Sequence, residues 1–439
     1  MLIDFSFSNY LSFKESASLS LLVPGKIAEG RARHLLILEE GRYALTPFVG
    51  IYGPNAAGKS NVAKALMDFV FLILQSHNLG IDAPIPSYRP FRLDPASRAA
   101  PVSFEAEFAI DGIRHSLKVR FDRLSILEEE LVFYPEGRRA LLYSRKEGAP
   151  LSFGGHFRGP KKGIEAFLRK NALFLSTAVN LSNEQLRPVY KYFQTHYQFH
   201  LSMESIGRPL MATTNGLRQR GAEYRKLVLG FLNAADISVA DLDIRRNETL
   251  LKTLALPADM PAEIRSAVME TLSSQAFLGH PVYSGDNSTG VNEYFSLNDE
   301  ESGGTAKMYE LAGEIIDAVA MGGVLVIDEF NSGLHPRLCE HIVGIFRNSA
   351  SNPRGAQLIV TTHDTNLMAR DGIFRDELWL VDRDSRGASE LYSLDEFSKD
   401  EVRKGANLER WYLDGRFRAI PSLDSSSLDF GSPDAQETT

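Results

Sequence analysis

The sequence predicts an α/β fold that combines a parallel core with an antiparallel β subdomain and a mainly helical insertion. Near residue 50 an apolar run leads into a glycine-rich stretch, and helical spacing follows over residues 61–75. Short alternating segments over 88–153 are separated by turn signals such as Asp111-Gly112, which is typical of an antiparallel meander. Apolar runs and helical patterns then alternate over 291–361, as in a parallel α/β unit.

Composition places the chain among ordinary globular proteins. Apolar residues make up 44% of the 439 positions, charged residues make up 24%, and the formal net charge is −8. This charge excludes the overall basic field with which simple nucleic-acid binders attract phosphates, so DNA contact would be local or made by a partner. The single cysteine, Cys339, excludes an internal disulfide and a cysteine-rich metal site.

The start of the chain is predicted to be a strand and not a signal peptide. MLIDFSFSNYLSF alternates apolar and polar residues and has no basic region before a long apolar core. The longest apolar run, residues 66–74, is far shorter than the ~20 residues that span a bilayer. We therefore expect a cytoplasmic protein without a membrane partner.

Four segments are expected along the chain. The glycine-rich break GGHFRGPKKG follows the meander, and helical spacing then dominates, as at residues 218–232 and 262–277. The closing stretch PSLDSSSLDFGSPDAQETT is rich in Ser, Asp and Pro and has few apolar anchors, which is typical of disorder. The expected segments are lobe I at 1–155, a helical insertion at 156–280, lobe II at 281–421 and a disordered tail at 422–439.

The stretch GPNAAGKS matches G-x-x-x-x-G-K-[ST] between a predicted strand and a predicted helix. Backbone N–H groups of such a loop, together with the helix dipole, hold phosphates. Lys59 would reach the β- and γ-phosphates, and the Ser60 hydroxyl would bind Mg²⁺. ATP and Mg²⁺ are therefore the expected cofactors. The candidate nucleotide-binding residues are Gly53, Pro54, Asn55, Ala56, Ala57, Gly58, Lys59, Ser60 and Asn61.

The apolar stretch VLVI at 324–327 ends in two adjacent carboxylates, Asp328 and Glu329, in the form of a Walker B element. Acids at the end of a buried strand are costly unless they meet a cation or water. Asp328 is predicted to hold Mg²⁺ through water, and Glu329 to act as the general base on the attacking water. By themselves two such acids are more often a strand-end cap; together with the phosphate-binding loop, they predict ATP hydrolysis.

Two further motifs complete the candidate site. Ser302-Gly303-Gly304 precedes a helical pattern, so its hydroxyl and N–H groups could bind an anion or simply cap the helix. Its place between the glycine-rich loop and Asp328 favours the anion. His363 follows the predicted strand at 357–361, where a histidine can sense a γ-phosphate through one hydrogen bond.

Five motifs and their order along the chain resemble those of cassette ATPases related to Rad50, SMC and RecF. They are GPNAAGKS, which we call the P-loop, ESGGT, VLVIDEF, NSGLHP and TTHD. The opening LIDFSFSNYLSFKE, the form E-S-x-G-T and the closing LYSLDEFSKDEVRKGANLERWYLDGRFRAIP are similar to bacterial AAA-type cassette ATPases of anti-phage operons, including the AriA subunit of PARIS. The resemblance covers residues 1–155 and 281–421. Leu11 departs from it, since Rad50-like proteins often carry a basic residue there. A Q-loop glutamine is also missing, because Gln75 lies in the predicted helix.

The resemblance implies an ABC-type P-loop NTPase whose site is shared between two copies. In that family an S-G-G stretch contacts the γ-phosphate held by the other copy, so Ser302 would complete the partner's site and ATP-sandwiched homo-oligomers would form. The resemblance also implies a sensor and scaffold in anti-phage defence. Its partners would be a phage trigger protein and an effector encoded nearby, a nuclease.

Two other functions are compatible with a P-loop ATPase: a protein with its own nuclease domain, and a DNA-repair ATPase. OLD-like proteins append a nuclease domain, for which the segment at 422–439 is too short. A DNA-repair ATPase of the RecF or Rad50 type would need a basic surface or a long coiled coil, and a charge run is usually a solvated helix face. The basic residues of the insertion are Arg218, Arg220, Arg225, Lys226, Arg245 and Arg246.

Overall fold

The computed structural model describes residues 1–25, 31, 35–38, 43–159, 162–201, 209–246, 273–370, 372–397 and 407–421. The predicted disordered tail at 422–439 and most of the helical spacing predicted at 262–277 lie outside these residues. Across the described ranges, no helix is both long enough and apolar enough to cross a bilayer.

The described strands alternate with helices in lobe II and cluster in lobe I. They are β1 (Leu2–Ser8), β2 (Ala17–Ser20), β3 (Leu36–Leu38), β4 (Tyr43–Leu45), β5 (Phe48–Tyr52), β6 (Val102–Ile110), β7 (Ile113–Phe121), β8 (Ile126–Phe133), β9 (Ala140–Lys146), β10 (Ser152–Phe153), β11 (Tyr197–His200), β12 (Asp241–Arg246), β13 (Ser274–Ser284), β14 (Asn287–Ser296), β15 (Val324–Ile327), β16 (Gln357–Thr361), β17 (Leu378–Arg383) and β18 (Ser389–Ser393).

The described α-helices range from one turn to five. They are α1 (Lys59–Gln75), α2 (Pro95–Ala99), α3 (Lys162–Glu165), α4 (Phe174–Asn180), α5 (Arg187–His196), α6 (Pro209–Gln219), α7 (Gly221–Ala234), α8 (Gly303–Met321), α9 (Pro336–Arg347) and α10 (Leu408–Leu413).

A six-stranded sheet forms the centre of the fold, in the order β11-β15-β16-β5-β17-β18. All neighbouring strands in it are parallel except β17 and β18. Strands β5, β15 and β16 are buried along their whole length and coincide with the apolar runs. Alternate residues of these strands pack into two separate clusters, one with α1 and the other with α8 and α9. The predicted α/β class is thereby confirmed.

The predicted meander forms a seven-stranded antiparallel sheet in the order β10-β9-β8-β7-β6-β1-β2. Helix α1 lies between this sheet and the central one. Its Phe69 contacts Phe5 and Phe104 of the antiparallel sheet, with ring centroids 5.7 and 5.9 Å away. Val49 and Ile51 of β5 belong to the same buried cluster. Helix α1, which follows the glycine-rich loop, is therefore packed between the two sheets.

The segment at 156–280 contributes helices α3–α7 and also strands. Strand β11 extends the central sheet beside β15, and β13 pairs with both β12 and β14. The helical spacing predicted at 262–277 is wrong over its last residues, because Ser274–Ser284 form β13. Ala276 and Leu278 are buried there at a spacing of two, which a paired strand imposes. The division of the chain into four segments stays a prediction.

Candidate active site

The glycine-rich loop joins β5 to α1, and two of its glycines hold backbone conformations that other residues rarely adopt. Gly53 has a φ of 144° and Gly58 a φ of 117°. A Cβ at Gly53 would lie 2.2 Å from the carbonyl oxygen of Val381. A Cβ at Gly58 would lie 2.6 Å from the hydroxyl oxygens of both Ser12 and Ser389. The tight fit of the loop against these segments therefore requires glycine at both positions.

Lys59 is the first residue of α1, and its side chain turns back into the loop. Its Nζ donates hydrogen bonds to the carbonyl oxygens of Gly53 at 2.8 Å and Pro54 at 2.9 Å. Burial lowers the pKa of Lys59 to about 8, and the charges of Asp328 and Glu329 act in the opposite direction. Neutral carbonyls replace only part of the lost hydration of an ammonium group, so an anion bound here would gain a strong partner.

The two carboxylates after β15 have different surroundings. Asp328 is 3% exposed, and the Thr361 hydroxyl donates a hydrogen bond to its carboxylate. Glu329 is exposed, has a φ of 52°, and donates its backbone N–H to Thr361 Oγ1 at 2.9 Å. A left-handed backbone is costly at a residue with a side chain, and such conformations cluster at active sites. Thr361 thus binds the buried carboxylate of Asp328 and the backbone N–H of Glu329.

A cavity of about 200 Å³ brings the loop and the ends of the parallel strands together. Its lining residues are Asn55, Ala56, Gly58, Lys59, Ser60, Asn61, Glu329, Thr361 and His363. The remaining predicted loop residues lie behind this lining: Gly53 and Pro54 bind Lys59, and the Ala57 carbonyl accepts a hydrogen bond from Ser389. Asp328 reaches the cavity edge through its bond to Thr361.

His363 lies two residues after the end of β16 and is exposed on the cavity wall. Asn331, in the loop after Glu329, accepts hydrogen bonds from the His363 backbone N–H at 3.2 Å and the Thr362 hydroxyl at 2.9 Å. Burial and the Lys59 charge lower the pKa of His363, while Asp328 acts against them. The lowered pKa favours the neutral imidazole, which has one donor and one acceptor nitrogen.

Ser302, Gly303 and Gly304 do not line this cavity. Ser302 is the N-cap of α8, and its Oγ accepts a hydrogen bond from the Thr305 N–H at 3.1 Å. Ser302 and Gly303 are exposed, and Gly304 lies beside the loop after Glu329, where an added Cβ would be 3.3 Å from the Gly333 carbonyl oxygen. Within one chain, the S-G-G stretch is thus a capped helix start that faces solvent.

Three residues of the site were missed by sequence reasoning. Ser12 and Ser389 clasp the loop: the Ser389 N–H donates to the Ser12 carbonyl at 2.7 Å, and Asn61 donates to the Ser12 hydroxyl at 2.7 Å. No sequence signal marks either serine. Thr361 could have been found, because it ends the strand beside β15, and the carboxyl ends of neighbouring parallel strands meet at one edge.

The residues around this cavity fit ATP and Mg²⁺. Gly58 leaves the start of α1 without a side-chain cap, so its first N–H groups and Lys59 can receive phosphates. Ser60 and Asp328 supply oxygen ligands of the kind that Mg²⁺ takes together with phosphate oxygens and water. In the described part of the chain, no group of three or more His, Cys, Asp or Glu could hold a metal ion alone. Phosphate oxygens would therefore have to complete the coordination.

Comparison with known proteins gives a family match and a weak structural match. Residues 48–369 match the family described as "AAA domain, putative AbiEii toxin, Type IV TA system". No curated protein matches the sequence significantly. Among solved structures, the SMC head domain from Thermotoga maritima is similar with a TM-score of 0.38 and 14% identity, covering 89% of this chain and 98% of that one. Since the family match spans well over half of the 439 residues, the chain belongs to this family of AAA domains.

Proposed function

We propose that this chain binds Mg²⁺–ATP at the cavity beside Lys59 and hydrolyses it, as a switch whose complete site needs a second copy. The observation that carries the proposal is the cavity itself. It collects a buried ammonium, an uncapped helix start, an exposed carboxylate on a left-handed backbone and a histidine. These are the groups that phosphoryl transfer to water requires.

Each group has a separate task in this proposal. Lys59 exchanges its two carbonyl partners for the β- and γ-phosphates, which restores full charge pairing to the ammonium. Ser60 and Asp328 would hold Mg²⁺, which neutralises phosphate charge when it is bound. Glu329, free to turn into the cavity, accepts the proton of the attacking water. His363 offers a hydrogen bond to the γ-phosphate, with its backbone held by Asn331.

The second copy accounts for the S-G-G stretch. Ser302 and Gly303 are exposed, carry no part of the cavity of their own chain, and stand at the positive end of a 19-residue helix. Placed against the phosphates of another chain, they would close its site with a hydroxyl and N–H groups. A site divided in this way makes ATP the bridge between two chains, and hydrolysis the step that separates them.

The cellular role proposed is control of a toxic effector in anti-phage defence. The sequence resemblance and the family description, which names an AbiEii toxin and a type IV toxin–antitoxin system, both support it. In this role the chain holds an effector, a nuclease, and a phage trigger changes the ATP-driven state that holds or releases it. Isolation of the native complex with and without ATP tests the effector, because an ATP-dependent change in its mass is expected.

The structure does not favour the alternative of a DNA-repair ATPase. Arg220 pairs with Asp317, Arg225 with Asp241 and Arg245 with Asp243. Guanidinium groups that are already paired with carboxylates have less charge to offer to a phosphate backbone. A DNA affinity that falls steeply as salt is added would nevertheless restore this alternative.

Replacement of Glu329 by Gln tests hydrolysis directly. Gln keeps the shape and loses the base, so ATP should still bind while turnover falls by roughly 10²- to 10⁴-fold. Nucleotide affinity and phosphate release measured on the same preparation separate the two effects. The matched control is Glu293→Gln, an exposed acid on β14 that should leave both unchanged. Unaltered turnover in Glu329→Gln would remove Glu329 as the base.

A further inference from the structure

We propose that His200 is a positioning residue for ATP hydrolysis, which ties the carboxylates at the end of β15 to the helix that begins with the S-G-G stretch. This inference rests on the proposed ATPase function and adds to it a physical link between the two surfaces that a pair of chains would join. The link consists of His200 of β11 with Lys307 and Glu314 of α8.

The backbone of His200 supports the turn that carries the carboxylates. His200 ends β11, the strand beside β15, in register with Ile327. Its carbonyl oxygen accepts the N–H of Asp328 at 2.8 Å, one residue beyond the paired strands. Glu329, the next residue, then turns through its left-handed conformation. A shift of His200 would therefore move the start of the turn that aims Glu329.

The side chain of His200 holds α8. Its imidazole is 1% exposed and is bonded to two residues of that helix, Lys307 through Nε2 and Glu314 through Nδ1, the latter at 3.0 Å. Lys307 and Glu314 are seven residues apart, hence two turns apart on one helix face. A lysine ammonium can only donate, so Nε2 is the acceptor and Nδ1 carries the proton that is donated to Glu314. The ring is thus oriented from both sides.

The charges of this link reach the candidate site. The Lys307 pKa is lowered by burial, against which the carboxylates of Glu310, Glu314 and Glu329 act. Burying an ammonium, an imidazole and a carboxylate is costly, and apolar side chains of similar volume often pack at least as well. Such a set is better suited to fixing one relative position of helix and strand than to stabilising the fold.

A second ion pair on α8 provides the comparison. Asp317, three residues after Glu314, pairs with Arg220 between α6 and α7, and Arg220 is half-exposed. That pair also anchors α8, but it does not touch β11, β15 or the cavity. Loss of the Asp317 pair should therefore loosen α8 without disturbing Glu329.

The test compares His200→Phe, Lys307→Met and Glu314→Gln with the control Asp317→Asn. His200→Phe keeps a planar ring and removes both ring nitrogens. We expect kcat to fall by about 10- to 100-fold in His200→Phe, because the ring bonds that fix β11 against α8 are lost while the backbone bond to Asp328 remains. The Kd for ATP should stay unchanged, because the P-loop is intact. Asp317→Asn should keep kcat, and Lys307→Arg should keep most of it.

Further outcomes decide between a positioning and a merely structural role. The double variant His200→Phe with Glu314→Gln should lose little more kcat than His200→Phe alone, because the two residues act as one unit. The inference is overturned if kcat is unchanged in His200→Phe, or if Asp317→Asn lowers it equally.

A failure of the proposed function has a different signature, since the unmodified chain would then lack Mg²⁺-dependent turnover. If that chain binds ATP without turnover, the link through His200 is tested instead by amide hydrogen exchange of residues 303–307. ATP should change this exchange in the unmodified chain and not in His200→Phe. An equal change in both overturns the link.

Discussion

At the scale of single residues, Lys59 shows how the fold prepares a site for an anion. The ammonium is 7% exposed, and its hydrogen bonds go to two carbonyl oxygens of the loop. Burial without a full counter-charge explains why its pKa falls to about 8. Bound phosphates would supply the missing charge, so protonation of Lys59 and binding of ATP should favour each other.

This linkage predicts that ATP affinity depends on pH above about 8. Below that pH, Lys59 is already an ammonium and binding takes up no proton; above it, binding must protonate Lys59 first. The Kd for Mg²⁺–ATP should then rise by up to about tenfold per pH unit until the pKa of the bound form is reached. Isothermal titration calorimetry over this range measures it, and the heat should vary with the ionisation enthalpy of the buffer.

Two variants of Lys59 serve as controls for the pH experiment. Lys59→Arg stays charged throughout, so its Kd should not vary in the same way. Lys59→Ala should lose ATP binding and keep its fold. If the Kd for Mg²⁺–ATP varies with pH equally in the unmodified chain and in Lys59→Arg, a group other than Lys59 causes the pH dependence.

At the scale of elements, β16 organises the edge of the central sheet at which the candidate active site lies. It lies between β15, which carries the carboxylates, and β5, which leads into the P-loop. Its last residue, Thr361, donates to Asp328 and accepts from the Glu329 N–H. The Thr361 hydroxyl therefore contacts both acidic residues. It lies beside them because the carboxyl ends of the three parallel strands are at the same edge of the sheet.

Thr361→Val should separate this role from packing, because valine has the same shape without the hydroxyl. The Glu329 N–H and the Asp328 carboxylate would each lose a partner, at a cost of about 1–3 kcal/mol for a buried polar group. We expect the Mg²⁺ concentration for half-maximal turnover to rise and the maximal rate to fall. Thr361→Ser should restore both. A magnesium titration that is identical for valine and threonine would show that the hydroxyl serves stability alone.

At the scale of the whole molecule, the proposed shared site involves two surfaces that lie in different places on the chain. One is the cavity at the ends of β5, β15 and β16, where we propose that ATP binds. The other is the exposed start of α8, with the loop after Glu329 beside it. In a two-fold pair, the start of α8 of each chain would lie against the cavity of the other chain. Such a pair would have two equivalent sites. Neither surface alone provides both Glu329, the proposed general base, and the S-G-G stretch.

Mixing two inactive variants tests the shared site. Ser302→Arg should bind ATP through its own Lys59 yet hydrolyse none, since a bulky charged side chain would occupy the place of the partner's γ-phosphate. Glu329→Gln should be inactive for lack of a base. A mixed pair keeps one complete site, so an equal mixture should recover about a quarter of the unmodified rate, because half of random pairs are mixed. Full activity of Ser302→Arg alone would mean that each chain works by itself.

Much of the local structure could be predicted because it depends on short-range pattern. Strands at 48–52, 324–327 and 357–361 are buried on both faces, so each contains a short run of consecutive apolar residues. The P-loop was predictable because Gly53 and Gly58 have positive φ angles, a local conformation that favours glycine. Strand β11 was not predicted, since four residues directly after a helix carry too little periodicity to be told from its last turn.

By itself the sequence determined the fold class, the position of the glycine-rich loop between a strand and a helix, and the strand that leads to Asp328 and Glu329. Only the tertiary structure decided that Thr361 positions both acids, that Ser389 clasps the loop and that His200 joins β15 to α8. Ser389 is 332 residues from Ala57, and His200 is 114 from Glu314. Spacing of two or of three to four residues encodes which face of one element is buried. Which side chains of distant elements meet depends instead on strand order and register, which no local pattern contains.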